Sequence, residues 1–502
     1  MAKPWSLRIG DINLTAGTPS PPGVPQEDTP FRIAILGNFS GTRGASSALA
    51  NRRPIVVDRD NFDEVMAQFN VQVQLPAGEP IRFRELDDFH PDRLFEQLEL
   101  FETLRDLRRR LGNRSTFAAA AAEVRSWGAP AAPPPAEETA PPPPRDGAQL
   151  LDEILGGGLA PAPAPAPGLG GTDWNAFLQQ IVAPYAIPGA DPDQARLIAQ
   201  VDEATGAAMR AVLHDPAFQA VEALWRGVYF LVRRLNTDEG LKLCLIDVSK
   251  EELAADLGAA DLSASATYKM LVERTVGTPG AHPWAALIAH YTLGATVEDA
   301  VLLARMGMVA RAAGAPFLAA ADSRLFGCTS LAQTPDADDW QANVAVEVKE
   351  VWAALRQTPQ AAWIGLAAPR FLLRLPYGKA AGGMERFAFE ELPEGAPHEG
   401  YLWGNPSVAC ALLLGEAFTR AGWGMRPGLV LDVTDLPAHV WNEDGESHLK
   451  PCAEVVLSER AYERILDAGV MPLLSVQGSD RVHLARFQSL AEPLAPLAGR
   501  WQ

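Results

Sequence analysis

Phe31-Arg32-Ile33-Ala34-Ile35-Leu36-Gly37 is a near-continuous apolar run that starts after Pro30 and stops at a glycine. A run of this length bounded by turn formers reads as a buried strand. Working outward, residues 6–9 and 12–14 alternate apolar with polar, 55–57 is Ile-Val-Val, and 81–84 alternates again, so short strands are expected on both sides of it. A helix is expected from residue 60, with Asp60 as the candidate N-cap. A long amphipathic helix follows, begun by Pro91 and capped by Asp88 or His90. Its apolar positions Leu94, Leu98, Phe101, Leu104, Leu107 and Leu111 recur at spacings of three and four.

Further along, residues 195–213 read as helix. His214-Asp215-Pro216 ends it and starts another, with an apolar stripe of Phe218, Val221, Trp225, Val228, Val232 and Leu235. Strands are expected at 241–248, 284–290, 317–320, 363–366, 429–433 and 452–457, and helices at 297–313, 339–355, 408–421 and 458–468. Strands alternating with helices predict a mixed α/β (α+β) fold.

Between these regions the composition shifts to Ala, Pro and Gly, as in Pro141-Pro142-Pro143-Pro144 and the Ala-Pro alternation from Ala160 to Pro167. Such a segment lacks the apolar side chains to build a core and reads as an extended linker. The expected organisation is therefore a domain at 1–113, a linker at 114–173 and a second domain at 174–502. Inside the linker, Leu150-Leu151-Asp152-Glu153-Ile154-Leu155 reads as one or two helical turns, either a docking peptide or a passive apolar island.

The composition narrows the function. A net charge of -19 disfavours a sequence-independent nucleic-acid binder, which needs an excess of Lys and Arg. The one basic cluster, Arg105-Asp106-Leu107-Arg108-Arg109-Arg110, reads as a solvated or interface helix face. Cys244, Cys328, Cys410 and Cys452 have no paired spacing, so neither disulfides nor a zinc knuckle is expected. No signal-peptide pattern and no membrane-length apolar run is present, and a cytoplasmic protein without direct membrane insertion is expected.

Chemistry-bearing motifs fail on inspection. Gly37-Asn38-Phe39-Ser40-Gly41-Thr42-Arg43-Gly44 follows a strand, where a phosphate loop would sit, but Gly44 is followed by Ala45 and Ser46, so the required Gly-Lys-Ser/Thr is absent. A turn that carries the chain out of the sheet is the expected reading. The eight histidines lack ligand spacing, and Glu137-Glu138 and Asp336, Asp338 and Asp339 lack calcium-loop spacing. No nucleophile elbow occurs. The expectation is a non-enzyme without cofactor or metal; a hydrolase with a site assembled only in space is the competing reading.

Several strings nonetheless resemble known families. Ile35-Leu36-Gly37-Asn38-Phe39-Ser40-Gly41, Val57-Asp58-Arg59-Asp60-Asn61-Phe62-Asp63-Glu64-Val65-Met66 and Glu85-Leu86-Asp87-Asp88-Phe89-His90-Pro91-Asp92 resemble the small subunit of the type VI secretion contractile sheath (TssB/VipA). His214-Asp215-Pro216-Ala217-Phe218-Gln219 with Glu222-Ala223-Leu224-Trp225-Arg226-Gly227 is similar to the large subunit (TssC/VipB). So are Asp247-Val248-Ser249-Lys250-Glu251-Glu252-Leu253, 315–321, Pro369-Arg370-Phe371-Leu372-Leu373-Arg374-Leu375-Pro376-Tyr377-Gly378 and Tyr401-Leu402-Trp403-Gly404-Asn405.

The resemblance implies two sheath-subunit-like domains fused through the linker. It implies a structural protomer that packs around an inner tube and drives its ejection by contraction. Its partners would be other sheath protomers, the inner tube, the baseplate and an AAA+ unfoldase. Trp225, Arg226, Gly227, Arg370, Arg374, Tyr377, Trp403 and Asn405 would be interface or packing residues. After Pro472-Leu473-Leu474-Ser475-Val476-Gln477-Gly478-Ser479-Asp480 the family continues into a C-terminal extension that is not expected here, which makes a non-polymerising cap or baseplate adaptor the alternative.

Overall fold

The computed structural model describes residues 5–9, 12–16, 25–41, 48–76, 78–127, 194–341, 343–381, 384–393, 397–443 and 446–501. The chain forms two compact units: Met1–Val73 with Ile81–Leu94 and Leu213–Gln502, and Gln74–Pro80 with Phe95–Val212. Leu150–Leu155, Glu137–Glu138 and most of the expected linker lie outside the described residues.

In chain order the first half contains β1 (Trp5–Ile9) and β2 (Ile12–Ala16), an antiparallel hairpin, then β3 (Phe31–Gly37), β4 (Ile55–Val57), α1 (Phe62–Phe69), β5 (Val71–Val73), β6 (Ile81–Phe83), α2 (Pro91–Gln97), α3 (Glu99–Gly112) and α4 (Phe117–Trp127). After the undescribed stretch come α5 (Gln194–Leu213), α6 (Pro216–Arg234), β7 (Leu241–Asp247), α7 (Lys250–Leu257), β8 (Ala286–Leu293), α8 (Val297–Ala313), β9 (Phe317–Ala321), α9 (Val346–Arg356), β10 (Ile364–Ala368) and the short strands β11 (Phe371–Leu372) and β12 (Trp403–Gly404). The chain continues through α10 (Pro406–Ala421), β13 (Asp432–Val433), the hairpin β14 (Val440–Glu443) and β15 (Glu446–Leu449), α11 (Glu459–Asp467), β16 (Val470–Ser475) and β17 (Val482–Leu484).

The larger unit is organised by a nine-stranded sheet in the order β13-β17-β16-β10-β9-β8-β3-β7-β4. The strands from β16 through β7 run parallel, and β4 and β17 pair antiparallel at the two sides. Parallel strands covered on both faces should be near-continuously apolar, and apart from the half-buried Arg32 β3 obeys: Phe31, Ile33 and Ala34 are wholly buried, and Ile35 and Leu36 are 1% exposed. It lies between β7 and β8, with Ile33 opposite both Leu243 and Ala286, and Ile35 opposite Leu245 and Ile288. A strand from before residue 128 thus sits inside a sheet made otherwise largely from residues after 193. Burying each large side chain of β3 contributes about 1.5–3 kcal/mol.

Several local expectations are corrected. Asp60 does not cap α1. The N-cap is Asn61, and the Asp58 carboxylate accepts from the Asp60 and Asn61 N–H groups, closing a turn one step earlier. The single helix expected through Leu94 to Leu111 is broken at Leu98, whose backbone is extended and whose carbonyl accepts from Phe101 and Glu102 to start α3. Leu98 stays buried through the break, so the apolar periodicity does not reveal it. Residues 117–127, inside the stretch assigned to the linker, form α4, because the alanines 118–122 are strong helix formers. No strand spans 452–457, where Ala453 makes only an isolated bridge to Phe371. The strand expected at 429–433 contracts to β13, and the helix expected from 339 starts at Val346, after a short 3-10 turn at Ala337–Asp339.

Candidate functional site

Trp225 lies on the buried stripe of α6. Asp215 starts this helix by accepting from the Ala217 and Phe218 N–H groups, with Pro216 in the first turn. Trp225 is fully buried, and its indole N–H donates to the Phe39 carbonyl at 3.1 Å. Phe39, Phe62 and Phe69 surround its ring edge-to-face at 5.3–5.8 Å. Two turns earlier, Phe218 packs in the same manner on the stacked pair Phe83 and Phe89. Aromatic residues of the first half thereby converge on one face of a helix of the second. Gly227 lets α6 approach α10: a Cβ there would stand 3.2 Å from Val408.

The polar edge of α6 carries an ion network. Glu222 is fully buried and accepts from Arg226 Nε at 2.7 Å and from Arg374 Nε at 2.8 Å. Arg374 reaches onward to Glu391, with Nη1 and Nη2 at 2.7 and 3.0 Å from its two oxygens. Glu391 also accepts from the Tyr377 backbone N–H at 2.7 Å, and His214 Nε2 stands 3.5 Å away. Arg226 Nη2 donates to the Tyr377 hydroxyl at 2.8 Å, and the Arg374 guanidinium stacks 4.1 Å over the Tyr377 ring. Burial pushes the Glu391 carboxyl up, but the Arg374 charge, the nearby His214 ring and the hydrogen bonds from Arg374 and Tyr377 outweigh it and bring it down to about 2. Burial likewise pushes the Tyr377 phenol up. Two carboxylates and two guanidiniums therefore balance in a dry site, the condition under which buried charges are tolerated.

Residues 84–94 touch the same segment. Asp92 accepts from the backbone N–H groups of Glu385 and Arg386 at 3.0 and 3.1 Å, and the His90 ring meets Tyr377 edge-on at 5.0 Å. Arg370 lies in a second cluster, bonded through Nε to Glu454 at 2.9 Å, with His398 Nε2 3.2 Å from the same oxygen. Burial raises the Glu454 carboxyl, and His398 with Arg370 more than reverse this, bringing it to about 2. Trp403 stacks on His398 and donates to its carbonyl at 2.9 Å. Asn405 caps α10 through its side-chain oxygen and donates to the Tyr291 carbonyl at 3.0 Å, tying that helix to β8.

Open parallel sheets bind ligands at the carboxyl ends of their strands, where the chain reverses its order of addition. Here β7 was added on one side of β3 and β8 on the other, so the crevice lies beyond Gly37 and Asp247. It is filled by protein: the Ser40 N–H, which a phosphate would need, donates to the Asp247 carboxylate at 3.2 Å. Asn38 to Gly41 forms a turn closed by the Gly41 N–H, with Gly41 at φ +72° against the Gln72 carbonyl. At the carboxyl ends of β8, β9 and β10, a cleft of about 380 Å³ is lined by Arg324, Arg370, His398 and Glu454. Its arginines are neutralised by Asp322 and Glu454.

All four cysteines are free and buried, and burial pushes the Cys410 thiol up to about 12. Asp336 and Asp338 are engaged locally, Asp336 as a turn cap and Asp338 with Arg460. Among the described residues no group of three or more His, Cys, Asp or Glu gathers to hold a metal, and no helix is long and apolar enough to cross a membrane.

Residues 195–491 match the VipB family, described as the EvpB tail sheath N-terminal domain. The chain belongs to this tail sheath family. Residues 23–126 match the type VI secretion system VipA family, so this sheath protein joins a small-subunit part and a large-subunit part in one polypeptide. It is 32% identical over 306 residues to the type VI secretion system sheath protein TssC1 of Pseudomonas aeruginosa, covering 59% of this chain and 61% of that relative. The matched region thus spans about three fifths of the curated relative.

Of the residues singled out in the sequence, Arg226, Arg374 and Tyr377 meet in one network and Arg370 with Trp403 in another, while Trp225, Gly227 and Asn405 fix α6 and α10. Sequence reasoning missed the anionic partners Glu222, Glu391 and Glu454. Glu222 carried a usable signal, since it lies four residues before Arg226 on a helix. Glu391 and Glu454 carried none.

Proposed function

We propose that this sheath protein is a structural protomer of a type VI secretion contractile sheath, which packs around an inner tube and drives its ejection by contraction. What carries the reading is β3, a strand of the small-subunit part seated between β7 and β8 of the large-subunit part. A sheath built from small and large subunits at one to one gains from this arrangement, because each chain brings the pair already assembled. Fusion makes pairing intramolecular, with an effective concentration on the order of millimolar.

On this reading the work is done by rearranged packing between protomers, without catalysis. The partners are further copies of the chain, the inner tube, the baseplate and an AAA+ unfoldase that recycles the contracted form, all met in the cytoplasm. The Trp225 junction and the Glu222–Arg374–Glu391 network keep each protomer rigid while protomers move against one another. Residues 1–127, with α4 included, and 174–502 act as the two subunit equivalents, and the Ala-, Pro- and Gly-rich stretch between them as their connection.

Producing the full chain together with its inner-tube protein and imaging by electron microscopy tests this. Rods or stacked rings with a filled lumen are expected. Uniformly monomeric particles would overturn the polymerising role and favour a sheath-related cap or baseplate adaptor.

A further inference from the structure

We propose that Arg52 is the residue by which the large-subunit part recognises its own small-subunit part. The inference rests on the reading of this chain as a fused small–large pair and names the side chain that gives the pairing its specificity.

Most polar contacts across the junction end on backbone. Trp225 donates to the Phe39 carbonyl, Arg32 to the His282 carbonyl at 2.7 Å, Trp423 to the Thr29 carbonyl at 2.7 Å, and Asp92 accepts from two backbone N–H groups. A carbonyl or amide is present whatever the residue, so such contacts hold the parts together with little regard to sequence on the backbone side. Arg52 differs. Its side chain is 8% exposed, and its guanidinium meets the Glu252 carboxylate as a two-pronged pair, Nη2 to Oε1 at 2.6 Å and Nη1 to Oε2 at 3.1 Å. Nη1 also donates to the Asp247 carbonyl at 2.6 Å, at the end of β7.

Glu252 is itself fixed. It is the third residue of α7, and its carboxylate receives the Ser249 N–H while the Ser249 hydroxyl receives its own N–H. The carboxylate is therefore pointed before Arg52 arrives, and a planar fork suits it better than a lysine would. The other described ion pair joining residues before 128 to residues after 193, Arg108 with Asp202, has half-exposed side chains and discriminates weakly. A small-subunit part without arginine at this position would remove the guanidinium charge that the Glu252 carboxylate and the Asp247 carbonyl both face, and the loss of that charge-assisted pair is what rejects wrong associations.

The test uses the full chain with a protease site placed inside 128–193, cut after folding. The release rate of the N-terminal piece is then measured for the parent, Arg52→Ala, Glu252→Gln and the double variant. Glutamine keeps the capping arrangement of α7, so Glu252→Gln reports on the pairing and not on helix formation. Each single change is expected to speed release by roughly tenfold, and Glu252→Gln by less than about twofold once Arg52 is already alanine. Should the pieces hold too tightly to separate in buffer, the same cycle is read from urea midpoints of the cut protein. Additive effects, or a Glu252→Gln protein that releases at the parental rate, would overturn the proposal. A coupled cycle in a protein that forms no rods leaves the lock standing without the sheath role. Rods from a protein with an uncoupled cycle remove the lock alone.

Discussion

Arg108, Arg109 and Arg110 stand together on α3, whereas Arg226 and Arg374 come from distant parts of the chain and meet at one buried glutamate. The first group is conspicuous in the sequence and solvated in the structure. Arg109 pairs with Asp106, Arg110 with Glu123 at 2.6 Å, and Arg108 with Asp202 at 2.5 Å, the last with 57% of the arginine side chain exposed. The second group is scattered along the sequence, yet the Arg374 side chain is 9% exposed and both its carboxylate partners are fully buried. Proximity in sequence says where charge is dense, and burial decides what a charge is worth, because water and salt screen one group and not the other.

Removing Arg374 should widen the contrast most. Arg374→Ala takes the guanidinium from the buried Glu391, leaves Glu222 with Arg226 alone, and is expected to cost about 3–5 kcal/mol in urea unfolding. A loss below about 1 kcal/mol would mean that the network is solvated after all.

Acid should come next. Glu391 and Glu454 are held near 2 in the folded protein, against an ordinary glutamate value of about 4.3 in the unfolded chain. Because the folded values are depressed, their stabilisation is fully present above pH of about 5 and drains away as pH falls toward about 2. Unfolding midpoints should therefore decline over that window, and less steeply in Glu391→Gln. An unchanged slope in that variant would break the assignment.

At the small end, Arg108→Ala should change stability by no more than about 1 kcal/mol. Raising salt to about 1 M should erase the Arg108 difference and leave most of the Arg374 difference intact, since the Debye length there is about 3 Å. Equal salt sensitivity at both sites would collapse the distinction between them.

The same distinction explains which parts of the molecule were legible beforehand. The apolar strands at 31–37, 241–247 and 317–321, the stripe on α6 and the helices α8, α10 and α11 follow from local periodicity and start signals such as Asp215-Pro216. The break at Leu98 and the capping role of Asn61 were hidden, because both depend on backbone dihedrals that the side-chain pattern does not encode. Trp225 could be read as core from spacing alone. Its partners Phe39, Phe62 and Phe69 could not, since their meeting requires β3 and α1 to be placed against a helix far along the chain.

By itself, then, the sequence determined most of the elements and the family, with its small-subunit and large-subunit parts. These are local or additive properties of residue type and order. Only the tertiary structure decided that β3 enters the sheet between β7 and β8, that Arg226, Arg374 and Tyr377 close on Glu222 and Glu391, and that Arg52 reaches Glu252. Each of these joins residues distant in the chain whose contact is set by strand order and burial, quantities that exist only once the chain has closed on itself.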